Sequence, residues 1–439
     1  MKYYLAIDIG ASSGRHIIGY LQDGTLMTDE VYRFPNGMDN KDGHLVWDTD
    51  RLFEEVQNGI AEAFKKYKKI ESLSIDTWGV DYVIMKDDEE VTPTYAYRDA
   101  RTEEVIDRVH ELIPFKTLYS HTGIQFNKFN SIYQLYWDKL EGRLEGATDF
   151  LMIPEYLMYK LTGVKKKEIT NATTTGLVNS STLRYDRKIW SLLGLPIALD
   201  ANLNMPGTVV GRLKADIAKR VGGELDVVLC ATHDTASAVE AIEMKSNAPY
   251  ISSGTWSLLG VKTPTALTDE KSCESDYSNE GGVGYNRYQK NIAGMWLVQS
   301  LRAELCPDMP YGDIAKMASE SSFEGIIDVN DDMFYAPESM KSAIDEYLSA
   351  RGMALPACDA DYFNCAYVSI GVCYGRAISD LEENTGKTYD EIYIVGGGAK
   401  NTYLNGITEK YTGKKVIALP IEATAIGNIK IQMNRSTPL

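Results

Sequence analysis

Three acidic residues follow predicted strands and are the side chains of this chain best placed for chemistry. Asp8 closes the strand-like segment 2–7, Asp76 closes 70–75, and Asp234 follows 225–230 and begins a helical segment. Asp8 can hold a cation at the mouth of the loop that follows it. At Asp234 the position alone leaves two roles open, a proton acceptor for a substrate hydroxyl and a simple helix cap.

A glycine- and serine-rich loop follows the first of these acids and leads into another strand. The run Asp8–Arg15 (Asp-Ile-Gly-Ala-Ser-Ser-Gly-Arg) is followed by predicted strands over 15–21 and 26–34, with a turn at 22–24. A dinucleotide-binding or P-loop sequence would lead into a helix instead. Backbone amides, two hydroxyls and an arginine suit phosphate oxygens, so the hairpin predicts a nucleotide-phosphate site.

The same order of elements occurs twice along the chain. Apolar residues four and three apart predict a helix over 48–69, capped by Asp48 or Thr49, and a strand follows over 70–75. The second half repeats this plan more weakly, with a helix over 235–244 and a hairpin formed by 249–252 and 256–262. We therefore expect two domains, 1–245 and 246–439, with the boundary near 245–248.

The rest of the second half continues the alternation of helices and strands. The pattern predicts a long helix over 362–381, strands over 391–395 and 416–419, and a final helix that opens at 422–428. Gly396, Gly397 and Gly398 follow the first of these strands. As a bare motif a triple glycine is most often only a turn.

Composition excludes several classes of function. A net charge of −17 over 439 residues argues against broad nucleic-acid binding. No stretch has the roughly 20 apolar residues of a membrane span, and the N-terminus lacks a signal-peptide layout, so we expect a cytoplasmic protein. The sequence does not indicate an oligomeric state.

Taken together, the motifs resemble those of the FGGY carbohydrate kinases, and within them the branch that acts on L-rhamnulose. The resemblance runs from Tyr4 to about Met433, and the joint order of the motifs makes it specific. The matching segments are 7–15, 75–81, 97–99, 170–175, 233–238, 252–257 and 279–282. Members of this branch continue further past the segment 422–428, so we expect a shortened last helix that leaves apolar surface uncovered.

The resemblance implies an α/β fold of two actin-like (ribonuclease H-like) ATPase domains with a central cleft. It implies transfer of the γ-phosphoryl group of ATP, with Mg²⁺, to the 1-hydroxyl of L-rhamnulose. Other FGGY substrates, namely L-fuculose, L-xylulose, D-xylulose and glycerol, remain alternatives, as does a non-catalytic sugar-binding ATPase on the same fold. The expected partners are a small ketose and ATP.

The resemblance also implies roles for individual residues. Asp234 is the expected catalytic base, and Asp8 is expected to meet Mg²⁺ through water. The expected sugar contacts are Asp76, Trp78, Gly79, Arg98, His233, Asp234 and Thr235. The expected ATP contacts are Ala11, Ser12, Ser13, Gly14, Arg15, Thr255, Asn291, Gln299, Gly397 and Gly398.

Each of these residues also has a structural interpretation. Taken alone, His233 is more often a core histidine, and Trp78 is as often a packing residue as a face for the methyl group of a deoxy sugar. Arg98 can form a surface ion pair with Asp99 that contributes little.

Overall fold

The computed structural model of the protein describes residues 1–244, 247–335, 337–419 and 422–435. These residues form two compact units. The first unit contains 1–241, 263–288 and 423–435, and the second contains the remaining described residues. Part of the predicted boundary, 245–246, lies outside the described residues, and the division into domains 1–245 and 246–439 stays a prediction.

A six-stranded mixed sheet forms the centre of the first unit. The strand Tyr4–Ile9 pairs antiparallel with its hairpin partner and parallel with Ser72–Thr77 on its other side. All six residues of Tyr4–Ile9 are buried, as expected for a strand covered on both faces. The strand order is Val209–Arg212, Asp226–Val228, Ser72–Thr77, Tyr4–Ile9, Ser13–Gln22 and Thr25–Pro35.

Helices cover this sheet. Thr49–Lys66 is the predicted first helix, and the Asp48 side chain caps it by accepting from the Arg51 backbone N–H. The C-terminal helix, Ala423–Asn434, packs on the first strand and on the helix Asp234–Ala241. The other α-helices of this unit are Ile106–Leu112, Phe115–Thr122, Ser131–Leu140, Ile153–Thr162, Ile169–Ala172, Arg187–Leu193, Ala215–Val221 and Glu270–Glu274.

Short strands and turns complete the first unit. The small sheets are formed by Asp39–Lys41, His44–Trp47 and Thr94–Tyr95; by Asp149–Met152, Tyr82–Lys86 and Glu89–Glu90; by Lys167–Glu168 and Leu203–Asn204; and by Val178–Asn179 and Arg184–Tyr185. The strand Ser278–Gly281 also belongs to this unit. The 3₁₀ turns are Ala100–Glu104, Thr173–Thr175 and Ile197–Leu199.

The sheet of the second unit repeats the central part of the first. Tyr250–Ser253 pairs antiparallel with Trp256–Thr263 and parallel with Glu391–Val395, which pairs in turn with Lys415–Ala418. Asn286–Ala293 lies beside Trp256–Thr263 and begins in the first unit. The helices and 3₁₀ turns here are Trp296–Leu305, Tyr311–Ser319, Asp332–Phe334, Met340–Ala350, Asp359–Thr385, Gly397–Lys400 and Thr402–Thr412. The α/β prediction and the repeated plan are therefore confirmed.

Candidate functional site

The strand ends of the first unit bring three acidic residues together. Asp8 and Asp76 lie opposite each other in the parallel pairing of their strands. An isolated bridge between Thr77 and His233 places Asp234 beside the same strand end. Burial, the charge of Asp8 and that of Asp234 raise the pKa of Asp76 well above its usual value. The structure thus joins the three acids that the sequence had only placed at strand ends.

Asp8 forms an ion pair with Arg15, at the other end of the predicted phosphate-binding loop. Arg15 Nε and Nη2 both donate to Asp8 Oδ2, at 2.9 and 2.8 Å. The two residues face each other across the antiparallel hairpin, which explains why their side chains meet. In this structure the Arg15 guanidinium neutralises a buried carboxylate, and its predicted phosphate contact stays a prediction.

Asn36, which the sequence had not indicated, fixes the conformation of the loop between the first two strands by hydrogen bonds. Gly10 N–H donates to Ser13 O at 2.9 Å, and Asn36 supports both sides by donating to Gly10 O and Ser12 O. Ala11 and Ser13 are partly exposed and Ser12 is exposed. Because the side chains of Ala11, Ser12 and Ser13 are at least partly exposed, this turn can offer hydroxyl groups to an anion.

Gly14, by contrast, is explained by packing. A Cβ atom there would lie 2.1 Å from Cζ of Phe34, which belongs to the neighbouring strand. The residue is buried, so its glycine makes room for the phenyl ring. A contact with phosphate stays a prediction for this position.

Asp234 begins its helix with a carboxylate that is about one third exposed. Its Oδ1 accepts from the Thr235 backbone N–H at 2.5 Å and from Thr235 Oγ1 at 3.1 Å. A helix-capping side chain bonds the second or third amide of the helix, which Asp234 does not do. Among the described residues no group donates to Oδ2, so this oxygen can accept a hydrogen bond from a ligand.

His233 lies against a buried ion pair that sequence reasoning did not single out. Its Nδ1 lies 3.0 Å from Glu280 Oε2 and 3.0 Å from Arg287 Nη2, and its Nε2 lies 3.5 Å from Asp234 Oδ1. Glu280 and Arg287 are themselves joined at 2.9 Å. The segment 279–282 had matched the kinase pattern, but nothing in the sequence indicated that Arg287 would meet it.

Asp76 is fully buried and does not face an open surface. Asn428 Nδ2, from the C-terminal helix, donates to its Oδ2 at 2.5 Å, and Cys230 Sγ lies 3.9 Å from the same oxygen. Its Oδ1 has no hydrogen-bond partner among the described residues. The predicted contact between Asp76 and a sugar therefore stays a prediction.

Trp78 packs against a second tryptophan. Its ring centroid lies 4.2 Å from that of Trp47, and both indole N–H groups donate to Asp81 Oδ2, at 2.9 and 2.6 Å. Burial raises the pKa of Asp81 to about 6, and these two hydrogen bonds oppose the shift. With 7% of Trp78 exposed, its packing role is observed and its sugar contact stays a prediction.

The other expected sugar residues have close protein neighbours. A Cβ atom on Gly79 would lie 3.1 Å from the Thr174 side chain, so this glycine allows a close approach within the unit. The Arg98 guanidinium lies over the Tyr97 ring, 5.6 Å from its centroid. Asp99 is buried and accepts from Leu45 N–H, which makes it a structural residue rather than a surface partner.

The second unit contains the other predicted nucleotide residues, of which Gln299 lies on the helix Trp296–Leu305. Thr255 lies in the hairpin turn, with Oγ1 3.3 Å from Gln299 Oε1. Asn291 lies on the strand Asn286–Ala293 and is partly exposed. Gly398 packs on Ser253, where a Cβ atom would lie 2.0 Å from its Oγ, whereas a Cβ on Gly397 would meet nothing within 4 Å. Gly397 therefore leaves open space beside the backbone.

Comparison with known proteins identifies the family. The models of the N-terminal and C-terminal domains of the FGGY family of carbohydrate kinases match residues 3–240 and 249–435. The chain belongs to the FGGY family of carbohydrate kinases. Its relatives include the rhamnulokinase of Oceanobacillus iheyensis, 42% identical over 98% of this chain and 92% of the relative. The rhamnulokinase of Bacillus subtilis is 38% identical over 98% of this chain and 90% of the relative.

Solved structures show the same fold for this FGGY kinase. A xylulose kinase from Lactobacillus acidophilus matches with a TM-score of 0.80 and 16% identity, over 99% of this chain and 89% of the other. The ADP complex of Plasmodium falciparum glycerol kinase matches with a TM-score of 0.79 and 15% identity, over 99% and 90%. The expected actin-like ATPase fold is therefore confirmed. In the described part of the chain, no helix is long and apolar enough to cross a membrane.

Proposed function

We propose that this FGGY kinase transfers the γ-phosphoryl group of ATP to the 1-hydroxyl of L-rhamnulose, giving L-rhamnulose 1-phosphate. The observation that carries the proposal is the carboxylate of Asp234, which is partly exposed at a helix start and whose Oδ2 has no hydrogen-bond donor among the described residues. The relatives named rhamnulokinase, 36–42% identical over 98–99% of the chain, support the choice of sugar.

Asp234 acts as the general base in this proposal. The Thr235 amide donates to Oδ1, which leaves Oδ2 to accept the proton of the attacking hydroxyl. Positioning and electrostatic stabilisation then supply most of the remaining rate acceleration in phosphoryl transfer.

Mg²⁺ fits the acid at the end of the first strand. Asp8 would offer carboxylate oxygens, the hard ligands that this cation prefers, whereas Asp76 is fully buried. The described residues contain no group of three or more His, Cys, Asp or Glu side chains placed to hold a metal by themselves. Phosphate oxygens and water would therefore complete the coordination, as is usual for Mg²⁺. When bound, the cation neutralises charge on the phosphates.

ATP is the phosphoryl donor that a carbohydrate kinase family implies. In the first unit the turn formed by Ala11, Ser12 and Ser13 offers amides and hydroxyls to its phosphates, followed by Gly14 and Arg15. In the second unit we assign Thr255, Asn291 and Gln299 to the nucleotide. The open space at Gly397 and the adjoining Gly398 would accommodate the nucleoside.

The proposed function is tested by kcat/KM at saturating Mg-ATP for a panel of sugars. The panel contains L-rhamnulose, L-fuculose, L-xylulose, D-xylulose and glycerol. We expect L-rhamnulose first, L-fuculose and L-xylulose as weak substrates, and glycerol poorest. A methyl-sized contact contributes about 10–200-fold and separates L-rhamnulose from L-xylulose and glycerol. Hydroxyl stereochemistry, read by buried polar groups, separates it from L-fuculose.

A preference for D-xylulose or glycerol would overturn the assignment of L-rhamnulose as the substrate. The assignment of the protein as a carbohydrate kinase would be unaffected. ATP binding without turnover of any sugar would favour the non-catalytic alternative.

A further inference from the structure

The threonine segment 170–175 matched the kinase pattern in the sequence but has no part in the proposed chemistry. Its four threonine side chains are buried. Their hydroxyl groups donate to acceptors close in sequence: Thr170 to Glu168 Oε2, Thr173 to Thr170 O, Thr174 to Asn171 O and Thr175 to Ala172 O. A hydroxyl group has one proton, so each of these oxygens can only accept in any further hydrogen bond.

Three of these hydroxyl oxygens accept backbone amides from other parts of the first unit. The bonds run from Val80 N–H to Thr174 Oγ1 at 3.1 Å, from Gly281 N–H to Thr173 Oγ1 at 2.8 Å, and from His233 N–H to Thr170 Oγ1 at 3.4 Å. The donors belong to 75–81, 279–282 and 233–238, which also matched the kinase pattern. The threonine segment therefore joins three parts of that pattern that are far apart in sequence.

The bond to Val80 holds a turn that is unfavourable by itself. Val80 has a φ of +68°, in the left-handed region that a β-branched residue rarely adopts. Asp81 N–H donates to Gly79 O at 2.9 Å, so Val80 is the central residue of a strained γ-turn. Ser131 Oγ donates to Val80 O at 2.5 Å. Because strained backbone persists only where its surroundings fix it, Thr174 and Ser131 together determine the path of the chain beside Gly79.

The bond to His233 belongs to a set that holds the strand end before the proposed base. Glu168 Oε2 accepts from Thr232 N–H at 3.0 Å, and Asn171 Nδ2 donates to Thr232 O at 3.3 Å. Both polar backbone groups of Thr232 and the amide of His233 are thus bound by 168–171. The position of Asp234, the next residue, follows from these bonds.

We propose that Thr170, Thr173 and Thr174 are positioning residues of the phosphoryl transfer, which fix the spacing between the proposed base and the segments 75–81 and 279–282. They act through the backbone of those segments. The inference rests on the proposed function, because this spacing affects a rate only if a sugar is phosphorylated there. A misplacement of about 1 Å can cost about 10²-fold in rate, so the loss of one such bond should be visible in kcat.

Thr174→Val tests the proposal, because valine has the shape of threonine without an acceptor. We expect kcat for the sugar to fall at least about tenfold, with a smaller change in KM and unchanged ADP affinity. Thr174→Ser keeps the hydroxyl group and should recover most of the loss. If Thr174→Val does not fold, Thr174→Ala removes the same acceptor and takes its place.

Thr175 provides a matched control within the same segment. It is fully buried, and its hydroxyl group donates to Ala172 O and accepts from Leu177 N–H, both close to it in sequence. Thr175→Val should therefore lower the melting temperature about as much as Thr174→Val does but leave kcat unchanged. Equal kcat values in the two variants would overturn the proposal, since the bond to Val80 would then have no effect of its own.

Hydrogen exchange with mass spectrometry follows the same bonds without catalysis. We expect faster exchange in the peptide that contains Val80 for Thr174→Val, and in the peptide that contains Gly281 for Thr173→Val, each with the other peptide unchanged. Exchange at the wild-type rate in both variants would overturn the proposal even if a sugar is phosphorylated. If no sugar is phosphorylated, the proposed function fails, while this measurement still decides whether the threonines hold these segments.

Discussion

Asn428 Nδ2 donates a 2.5 Å hydrogen bond to Asp76 Oδ2, and both side chains are fully buried. The direction of this bond is set by a relay along the C-terminal helix. Gln432 Nε2 donates to the Leu5 backbone carbonyl at 3.0 Å, which fixes the orientation of this amide, and the same nitrogen donates to Asn428 Oδ1 at 2.7 Å. The nitrogen of Asn428 must therefore face Asp76. In this way the last helix holds an acid that lies opposite Asp8.

The first prediction concerns the stability of that pair. Asn428→Asp replaces the donor with a second carboxylate beside a buried acid, and we expect unfolding free energy in urea to fall by about 3–5 kcal/mol. Asn364→Asp is the matched control, because Asn364 is buried but donates only to the backbone oxygens of Ser321 and Phe323. The double variant Asp76→Asn/Asn428→Asp should recover most of the loss. Equal losses at both asparagines would show that Asp76 is not responsible.

The second prediction concerns the base. Asp234→Asn keeps the size of the side chain but cannot accept the proton, so kcat should fall by about 10²–10⁴-fold. Nucleotide affinity should be unchanged, since Asp234 is assigned to the sugar. The measurement is steady-state kinetics together with calorimetric titration of ADP. Near-normal turnover in this variant would mean that Asp234 has only a structural role.

The order of elements and the acids at strand ends were predictable because periodicity and turn residues are local properties. The predicted strand over 391–395 is confirmed as Glu391–Val395, and of the two predicted caps, Asp48 and Thr49, Asp48 is the one observed. The partner of each acid was not predictable. Arg287 and Asn428 reach the site through strand pairing and helix packing, which depend on residues far apart in sequence.

Packing in the folded chain also changed the interpretation of one glycine and one tryptophan. Gly14 belongs to the predicted phosphate-binding motif, yet the position that a Cβ atom would take there is filled by the Phe34 ring. Trp78 follows the second acid, yet it stacks on Trp47. Both partners lie on neighbouring segments that only the folded chain brings near, so a motif alone could not distinguish a packing role from a ligand contact.

The third prediction concerns how the free energy of unfolding changes as the pH is lowered below neutral. Burial lowers the pKa of His16 from 6.5 to about 3, partly opposed by its hydrogen bond with Val56 O. Between these values the unfolded chain binds the proton and the folded chain does not, so stability falls as pH is lowered from 6.5 towards 3. One such group contributes about 1.4 kcal/mol per pH unit at most.

His16→Phe removes this titration, so the unfolding free energy should decline less steeply than in the wild type over that range. Urea unfolding at pH 4 to 8 gives the comparison, and the two slopes should coincide above pH 7. Identical slopes below pH 6 would mean that His16 is protonated in the folded protein as readily as in the unfolded chain.

The fourth prediction separates a packing glycine from a ligand glycine. Gly14→Ala places a methyl group against Phe34 and should destabilise the protein by about 1–3 kcal/mol. Gly397→Ala meets no atom within 4 Å, so its melting temperature should stay close to that of the wild type. If the nucleoside lies beside Gly397, the added methyl group should still weaken ATP binding by about tenfold, or about 1.4 kcal/mol. Thermal unfolding and calorimetric titration of ATP on both variants provide the measurement. Unchanged ATP affinity in Gly397→Ala would place the nucleoside elsewhere, whatever the outcome at Gly14.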